Sequence, residues 1–306
     1  MIIITAPVHV SFLQTLQQKN ILFEYLPNIG YHQLTDKIEA ATGLVVSTQI
    51  NVDQTLIDMA QKLQWIGRLG SGMEHIDVTY AQQKGIRCIS SPEGNSNAVA
   101  EMALGGLLNL LRNINKSSLE VKQELWKREE NRGMEIGGKT IGIIGYGNTG
   151  SRFAQLLSSF GCTILVYDKY KTEFNHQHIL VSTLNEIQQK ADVISLHLPL
   201  NDETRYLCGN DFFNDLQQAP VLINTSRGGI IDTSALVNAL EKGTIKGAVL
   251  DVLENEKLAT LSSEQKIQFN FLNHHPSVLI TPHIAGYTQE SFVRLGTVLL
   301  EKLGIM

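Results

Sequence analysis

Short apolar runs alternate with helix-like stretches along most of this chain. In its first part the runs occupy residues 2–4, 21–25, 44–47, 65–69 and 86–89. These runs are continuously apolar and rich in β-branched residues, whereas a sheet with one face in water would alternate apolar and polar residues. We therefore predict a parallel sheet that helices cover on both faces, which is a doubly wound α/β domain.

A second series of the same kind follows, with predicted strands at 141–145, 164–168, 193–196, 221–224, 248–250 and 278–281. A long helix-compatible stretch over 97–112 connects the two series, and a further predicted helix spans 289–302. The chain has 306 residues, and at roughly 150 residues per domain this length fits two domains. The sequence therefore predicts two doubly wound parallel-sheet domains.

Composition limits the class of protein and its partners. Hydrophobic residues make up 43% and charged residues 18% of the chain, which is ordinary for a globular protein and excludes disordered and collagen-like classes. The formal net charge is −5, whereas nucleic-acid binders carry a basic excess or a basic stripe. We expect no nucleic-acid partner.

The cysteines and the first residues indicate the cellular setting. Cys88, Cys162 and Cys208 are odd in number and far apart, which fits a reducing compartment better than a disulfide framework. Neither these cysteines nor the scattered histidines, His176 among them, have the spacing of zinc ligands. The first residues lack the basic start of a signal peptide, and no apolar run is long enough for a membrane span. We expect a cytoplasmic protein without a metal site.

A glycine-rich loop predicts a dinucleotide site. Gly145, Gly147 and Gly150 form a GxGxxG pattern between a predicted strand and a helix. In such loops the first glycine permits a tight turn, the second lets a pyrophosphate approach, and the third allows close packing of the helix on the strand. Asp168 lies 23 residues after Gly145, near the offset of about 20 for an acid that binds ribose hydroxyls. Because a carboxylate repels a 2′-phosphate, NAD is favoured over NADP, although Lys169 and Tyr170 directly after Asp168 leave room for NADP to be tolerated.

Polar residues follow the strands of the second series, where ligands of open α/β sheets bind. His197 and Pro199 follow one strand, and Thr225, Ser226 and Arg227 follow the next; Asp251 and Glu256 follow a third strand, and His283 a fourth. A guanidinium can hold a carboxylate and polarise the carbonyl beside it. A histidine can move the hydroxyl proton at neutral pH, and a carboxylate can orient it. This set favours hydride transfer on a hydroxy acid, with Arg227, His283 and Glu256 in these roles.

Each of these residues has a structural alternative. Arg227 could form a surface ion pair, and His283 could be a histidine satisfied by backbone groups at a domain hinge. Glu254 lies two residues before Glu256, so either carboxylate could face the histidine. We expect His197 to position other groups at the rim of the site.

A second glycine-rich turn, at 67–72, ends a strand of the first series. Its backbone N–H groups could hold a substrate carboxylate opposite Arg227 if the two domains face each other across a cleft. The alternative is a loop that merely needs positive φ angles.

These motifs together resemble the D-isomer-specific 2-hydroxyacid dehydrogenase family over essentially the whole chain. The matching segments stand here, in family order, at 70–77, 97–101, 138–150, 197–200, 224–232, 250–256 and 281–286. The resemblance implies a Rossmann-type NAD domain at 97–286, inserted into a flavodoxin-like substrate domain formed by 1–96 and 287–306.

The resemblance also implies roles for individual residues. It makes Arg227, Glu256 and His283 catalytic, and Ser71, Gly72 and Arg227 substrate contacts. It implies NAD contacts from the glycine loop and from residues after the strands: Gly145, Gly147, Asn148, Thr149, Gly150, Asp168, His197, Pro199, Thr225, Ser226, Asp251, Ala285 and Gly286. The chain departs from many members at Lys257, where they have proline, and at Ser47, where arginine is frequent.

Within the family, residues 126–139 and 253–257 are most similar to some bacterial D-3-phosphoglycerate dehydrogenases, of which the chain would be a short form, and this implies a place in serine biosynthesis. Arg132 could help to bind a phosphate, or it could be a solvated arginine of the linker. The alternatives are a glyoxylate, hydroxypyruvate or general D-2-hydroxyacid reductase, and an NADH-sensing protein like the family's corepressors. A homodimer built through the 97–112 helix and neighbouring segments is also implied.

Overall fold

The computed structural model describes residues 1–171 and 178–306. It divides into two compact units, of which the first comprises Met1–Ala98 and Tyr287–Met306, and the second comprises Val99–Gly286.

Among the described residues the strands are β1 Ile2–Ile4, β2 Phe23–Tyr25, β3 Gly43–Val46, β4 Trp65–Arg68, β5 Arg87–Ser90, β6 Thr140–Ile144, β7 Thr163–Tyr167, β8 Ile179–Val181, β9 Val193–Leu196, β10 Val221–Asn224, β11 Gly247–Leu250 and β12 Val278–Ile280. The α-helices there are α1 Val10–Gln18, α2 Tyr31–Thr35, α3 Gln54–Met59, α4 Val78–Gln83, α5 Ser96–Leu111, α6 Ile114–Lys122, α7 Asn148–Leu157, α8 Leu184–Lys190, α9 Asn210–Asn214, α10 Thr233–Glu241, α11 Ser263–His274 and α12 Gln289–Lys302.

The first unit contains a parallel sheet in the order β2-β1-β3-β4-β5, which is the flavodoxin-like order. Side chains of successive strand residues enter opposite faces. Ile2 and Ile4 join one apolar cluster while Ile3, Leu44 and Val46 join another, so both faces are buried. This arrangement explains why the strands are continuously apolar in sequence.

The closing helix α12 packs within the first unit. Its Leu299 is fully buried and contacts the position of Gly67 on β4, where a Cβ would lie 2.8 Å from the leucine side chain. A Cβ at Gly94 would lie 2.7 Å from the Leu295 backbone, so the turn after β5 also approaches α12 closely. Lys302 pairs with Glu93 at 2.8 Å. Helix α12 therefore belongs to the same compact unit as the first residues of the chain.

The second unit contains a parallel sheet in the order β12-β11-β10-β9-β6-β7-β8 among the described residues. From β6 outward this is the doubly wound nucleotide-binding order: β7 and β8 are added on one side of β6, and β9 and the later strands on the other side. Residues of β6 enter the cores on both faces, with Ile141 and Ile143 on one side and Ile144 on the other. The predicted fold class, two doubly wound parallel sheets with a Rossmann-type domain, is confirmed.

The strand predictions agree with the structure to within two residues at each end, and α12 has the predicted bounds. Two elements were missed. Strand β8 is a short apolar run of three residues that lies partly exposed at the sheet edge. Helix α6 has no buried residue, so its sequence lacks the apolar face of a packed helix. Within residues 1–171 and 178–306, no helix combines the length and the apolarity that crossing a membrane requires.

Helix α5 contains two adjacent glycines in different surroundings. Gly106 is buried, and a Cβ there would lie 2.5 Å from Cγ1 of Val249 on β11. Gly105 is exposed, and a Cβ there would meet nothing within 4 Å. The helix therefore approaches the sheet at Gly106 and leaves space at Gly105.

Leucine at these two positions is expected to change stability in opposite directions. Gly106→Leu should lower the free energy of unfolding by about 1–3 kcal/mol through overpacking against β11. Gly105→Leu should raise it by up to about 1 kcal/mol, because leucine favours a helix more than glycine does. Urea unfolding followed by far-ultraviolet circular dichroism measures both, and equal midpoints for the two variants would contradict this packing of α5.

Candidate active site

The glycine loop after β6 has the geometry that the three predicted roles require. Gly145 has a φ of 95°, and a Cβ there would lie 2.3 Å from the carbonyl oxygen of His197. A Cβ at Gly150 would lie 2.0 Å from the carbonyl oxygen of Gly145. At Gly147 a Cβ would meet nothing within 4 Å. The first and third glycines are therefore needed for packing, and the second leaves an open approach to the backbone.

The loop leads directly into α7, with Gly147 as the N-cap and Asn148 and Thr149 in the first turn. The buried face of α7, which includes Phe153 and Leu157, packs on the sheet. The N-terminus of a helix carries a partial positive charge and presents backbone N–H groups. This end of α7 is therefore suited to an anionic group such as a pyrophosphate.

Asp168 follows β7, where the sequence places the ribose-binding acid, and backbone N–H groups hold it. Its carboxylate accepts hydrogen bonds from the N–H groups of Tyr146 at 2.7 Å, Tyr170 at 2.9 Å and Lys171 at 3.1 Å. Partial burial raises the pKa of Asp168, but these hydrogen bonds and the charge of Lys171 outweigh burial and lower it below the ordinary value. Asp168 is therefore a fixed negative charge beside the glycine loop.

His197 was expected at the rim of the site, and for its ring this expectation is wrong. The Nε2 atom lies 2.9 Å from Ser195 Oγ on the buried strand β9, and the ring packs 5.4 Å from that of Phe153. Nδ1 is buried without a hydrogen-bond partner. Burial lowers the pKa of His197 to about 4, so the ring is neutral at physiological pH. His197 therefore packs against the glycine loop, whereas Pro199 is exposed.

The loop after β10 is organised by Asn224, which is fully buried. Its Nδ2 donates to the carbonyl of Arg227 at 2.9 Å, and its Oδ1 accepts from the N–H and the hydroxyl of Ser226. The guanidinium of Arg227 donates through Nη1 to the Ser226 carbonyl at 2.7 Å. Sequence reasoning passed over Asn224, although a polar residue at the end of an apolar strand is a recognisable signal.

Two further features shape this loop. A Cβ at Gly228 would lie 2.0 Å from the backbone of Leu253, so the loop packs directly against the segment after β11. The hydroxyl of Thr225 is buried without a hydrogen-bond partner. A buried donor of this kind is costly unless it is satisfied, so Thr225 is suited to a contact with a bound molecule.

Asp251 holds the turn after β12. It is 2% exposed and accepts hydrogen bonds from the hydroxyl of Thr281 and from the N–H groups of Ile284, at 2.9 Å, and Ala285, at 2.8 Å. His283 donates its N–H to the Asp251 carbonyl and has a φ of 55°, a left-handed conformation that costs a residue with a side chain about 1–2 kcal/mol. The buried carboxylate therefore stabilises the turn that carries His283.

Glu256, not Glu254, is the partner of His283. The Nδ1 atom of His283 lies 3.0 and 2.9 Å from the two carboxylate oxygens of Glu256. Glu254 instead accepts the N–H of Thr233 at 2.9 Å and forms a hydrogen bond with Tyr206 that raises the pKa of that phenol. An ionised carboxylate only accepts hydrogen bonds, so Nδ1 carries the proton and Nε2 is the atom left for acid–base work.

Arg227, Glu256 and His283 interact electrostatically. The hydrogen bond to Glu256 raises the pKa of His283, while partial burial and the charge of Arg227 oppose this shift. Partial burial raises the pKa of Glu256, but the hydrogen bond and charge of His283, with a smaller effect of Arg227, lower it overall. At neutral pH Glu256 is therefore ionised, and its charge favours protonation of His283.

The predicted substrate residues Ser71 and Gly72 lie in the first unit, after β4. Gly70 has a φ of 140°, and the buried Ser91 holds the turn: its hydroxyl accepts the Gly70 N–H at 3.2 Å, and its own N–H donates to the Gly70 carbonyl at 3.0 Å. Ser71 is exposed. The turn therefore requires a positive φ at Gly70, which agrees with the structural alternative, while its role towards a substrate stays a prediction.

Arg132 does not lie with the other predicted residues. It pairs with Glu129 at 2.5 Å and lines a cavity of about 430 Å³ together with Val221 and Val278. These are the first residues of β10 and β12, whereas Arg227 and His283 lie beyond the last residues of these strands. Arg132 is therefore at the opposite end of this sheet, and its exposed side chain agrees with the alternative of a solvated linker arginine.

Over residues 1–171 and 178–306, no three His, Cys, Asp or Glu side chains are grouped so that they could hold a metal ion. His176, considered above for zinc spacing, lies outside the described residues.

Comparison with known proteins identifies the family. Residues 104–285 match the family model described as "D-isomer specific 2-hydroxyacid dehydrogenase, NAD binding domain". This match covers more than half of the chain. The chain belongs to the D-isomer specific 2-hydroxyacid dehydrogenase family. Residues 104–285 are accordingly the NAD binding domain of a member of this family.

Individual members show how far the similarity extends. A D-3-phosphoglycerate dehydrogenase of Methanocaldococcus jannaschii is 33% identical over 99% of this chain and 56% of its own length. A hydroxypyruvate reductase of Thermotoga maritima is 31% identical over 97% of this chain and 95% of its own length. The crystal structure of an Aquifex aeolicus D-lactate dehydrogenase with NAD and lactic acid has a TM-score of 0.83 and 26% identity, covering 99% of this chain and 95% of that one. The chain thus spans only about half the length of several curated phosphoglycerate dehydrogenases that it matches.

Removal of the Glu256 charge is expected to lower the pKa of His283. In Glu256→Gln the ring loses its carboxylate partner, so less of the protonated form should be present at any given pH. An NMR pH titration of the His283 ring, assigned with His283→Gln, measures the shift. Glu254→Gln is the matched control, since Glu254 contacts Thr233, and it should leave the His283 pKa unchanged. The pairing would be disproved by equal shifts in the two variants.

Proposed function

We propose that this protein is an NAD-dependent oxidoreductase that interconverts a D-2-hydroxy acid and its 2-keto acid. The observation that carries this proposal is the His283–Glu256 pair with Arg227 close enough to affect both groups. All three residues follow strands of one sheet, and the glycine loop follows β6 of the same sheet. A general acid–base group, a carboxylate anchor and a dinucleotide loop are what such a reaction requires.

The residues of the second unit fit NAD. Gly147 leaves its backbone open, Asp168 presents a fixed negative charge, and the buried hydroxyl of Thr225 has no hydrogen-bond partner. When bound, NAD would supply the hydride acceptor and NADH the donor. We assign the cofactor to these residues and their neighbours: Gly145, Gly147, Asn148, Thr149, Gly150, Asp168, His197, Pro199, Thr225, Ser226, Asp251, Ala285 and Gly286. For His197 the contact would come from its backbone, since its ring is directed inward.

Arg227 is the proposed anchor of the substrate. Its guanidinium can bind the carboxylate of a 2-hydroxy acid bidentately and polarise the adjacent carbonyl oxygen. The loop that Asn224 organises fixes the backbone of Arg227, which favours a defined position of the guanidinium. Ser71 and Gly72 of the first unit remain predicted substrate contacts. We therefore propose that the first unit is the substrate domain.

His283 is the proposed acid–base catalyst. In the oxidation of a hydroxy acid, neutral Nε2 takes the hydroxyl proton; in the reverse reaction the protonated ring returns it to the carbonyl oxygen. Glu256 orients the ring through Nδ1 and stabilises the imidazolium. Because Glu256 raises the pKa of His283, the oxidation rate should rise and the reduction rate should fall as pH increases through a value above the ordinary histidine pKa.

The specific substrate is proposed from the relatives. Several D-3-phosphoglycerate dehydrogenases align with 86–99% of the chain at about one-third identity, so we favour 3-phosphoglycerate and a cytoplasmic role in serine biosynthesis. A hydroxypyruvate reductase activity is the second candidate, because the Thermotoga maritima enzyme matches this chain over nearly its full length.

Steady-state assays with a panel of substrates test the activity and separate these candidates. We expect turnover of D- but not L-hydroxy acids with NAD, with D-3-phosphoglycerate preferred over D-glycerate and D-lactate; preference for hydroxypyruvate with NADH would favour the second candidate. His283→Asn should lower kcat by about 10²- to 10⁴-fold through loss of acid–base catalysis and leave the NADH dissociation constant unchanged. Tight NADH binding without any turnover would instead favour an NADH-sensing protein.

We also propose the homodimer that the family resemblance implies, built through α5 and neighbouring segments, among them α6 and the segment after it. This region exposes a group of large apolar side chains, among them Trp126, which is 84% exposed; the others are Ile114, Leu119, Val121 and Leu125. Exposed apolar patches of this kind mark interaction surfaces.

The dimer is tested by sedimentation velocity. Trp126→Glu is expected to shift the protein towards the monomer, because a charge would be buried in the interface. Leu22→Glu, at a residue of the first unit that is 77% exposed, is the matched control and should leave the association unchanged. A wild-type protein that sediments as a monomer would contradict the proposal.

A further inference from the structure

Two segments of the second unit meet beside the glycine loop. Lys169 and Tyr170 follow β7, and Glu203 lies in the loop after β9. Lys169 Nζ lies 2.7 Å from Glu203 Oε2, and the Tyr170 hydroxyl donates to the same oxygen at 3.3 Å. In the sheet, β6 lies between β7 and β9. The contact therefore bridges the segments on either side of β6, at the strand end from which the glycine loop starts.

The two lysines that follow Asp168 both contact protein oxygens. Lys169 pairs with Glu203, as described above. Lys171 donates from Nζ to the carbonyl oxygen of Tyr146 at 3.1 Å. The pair with Glu203 raises the pKa of Lys169 and lowers that of Glu203, so both partners are charged at neutral pH.

The position of Lys169 gives this pair a consequence for the cofactor. In dinucleotide-binding folds an acid after the second strand binds the ribose hydroxyls, while a cation nearby accommodates a 2′-phosphate. This chain has both: Asp168 is the acid, and Lys169 is the adjoining cation. A lysine already bound to a carboxylate offers little net charge to a phosphate, and the Glu203 carboxylate would repel that phosphate.

We propose that Glu203 is a specificity-determining residue: by pairing with Lys169 it withholds this lysine from a 2′-phosphate and thereby disfavours NADP. The proposal rests on the proposed NAD-dependent function and assigns to it a residue of the loop after β9, whereas Asp168 follows β7. Asp168 remains the larger determinant, because it is held rigidly beside the glycine loop, and Glu203 adds to it.

The size of the effect follows from the exposure of the pair. The two side chains are 54% and 55% exposed, and ion pairs at such positions are weak and screened by salt. Removal of the Glu203 charge is therefore expected to change the affinity for a 2′-phosphate by about 2- to 5-fold at low ionic strength, and by less as salt is added.

The test uses two probes that differ by the 2′-phosphate, adenosine 2′,5′-bisphosphate and 5′-AMP, with isothermal titration calorimetry of the full chain. NADPH and NADH serve as a second pair. The variants are Glu203→Gln, Lys169→Gln and the double variant. Asp202→Asn is the matched control, because it removes the same charge from the neighbouring residue without touching the ion pair. Thermal unfolding of each variant verifies that the fold is intact.

We expect Glu203→Gln to tighten binding of the bisphosphate and of NADPH about 2- to 5-fold, with 5′-AMP and NADH unchanged. Asp202→Asn should have a smaller effect, and in the Lys169→Gln background the gain from Glu203→Gln should be reduced to that of Asp202→Asn.

Two results would overturn the proposal while leaving the proposed function intact: an equal change for both probes of a pair, or a gain that persists in full without Lys169. Wild-type protein that binds neither NADH nor 5′-AMP would overturn the proposed function itself, and this inference with it.

Discussion

Parallel strands buried on both faces are the constraint on which the rest of this protein depends. Because the central strands of the sheet in the second unit are buried on both faces, they have little room for polar side chains, and these collect where the strands end. Arg227, Glu256 and His283 all lie beyond the carboxyl ends of neighbouring strands. The same edge carries the glycine loop after β6. The packing of the sheet therefore brings together residues that lie far apart in sequence.

Buried polar groups stabilise this edge, each in a different way. Asp251 satisfies the N–H groups of the turn that contains His283, and thereby supports a left-handed residue that would otherwise be unfavourable. Asn224 closes the loop of Arg227 through its own amide group. His197 packs beneath the glycine loop as a neutral ring. The positions of Arg227, His283 and the glycine loop thus depend on side chains that need not contact a substrate.

Much of the fold was predictable because most strand residues are apolar and the helices between the strands are regular. The bounds of α12, β9 and β10 agree with the structure at both ends. The failures have physical causes: β8 is a short and partly exposed edge strand, and α6 buries no side chain, so α6 lacks the buried apolar face from which helices are predicted. The ring of His197 is directed inward although Pro199, two residues later, is exposed. Position along the chain does not tell in which direction a ring is turned.

The sequence by itself determined the two doubly wound sheets, the glycine loop with its acid, and Arg227 and His283 of the candidate site. These follow from local patterns: continuous apolar runs, a spacing of glycines, and polar residues at strand ends. Only the tertiary structure decided which of two nearby glutamates contacts His283, that Asp251 supports the turn, that Arg132 lies at the other end of the sheet, and that Glu203 pairs with Lys169. Each of these facts depends on the direction of a side chain or on contacts between distant segments, and these are set by packing in three dimensions.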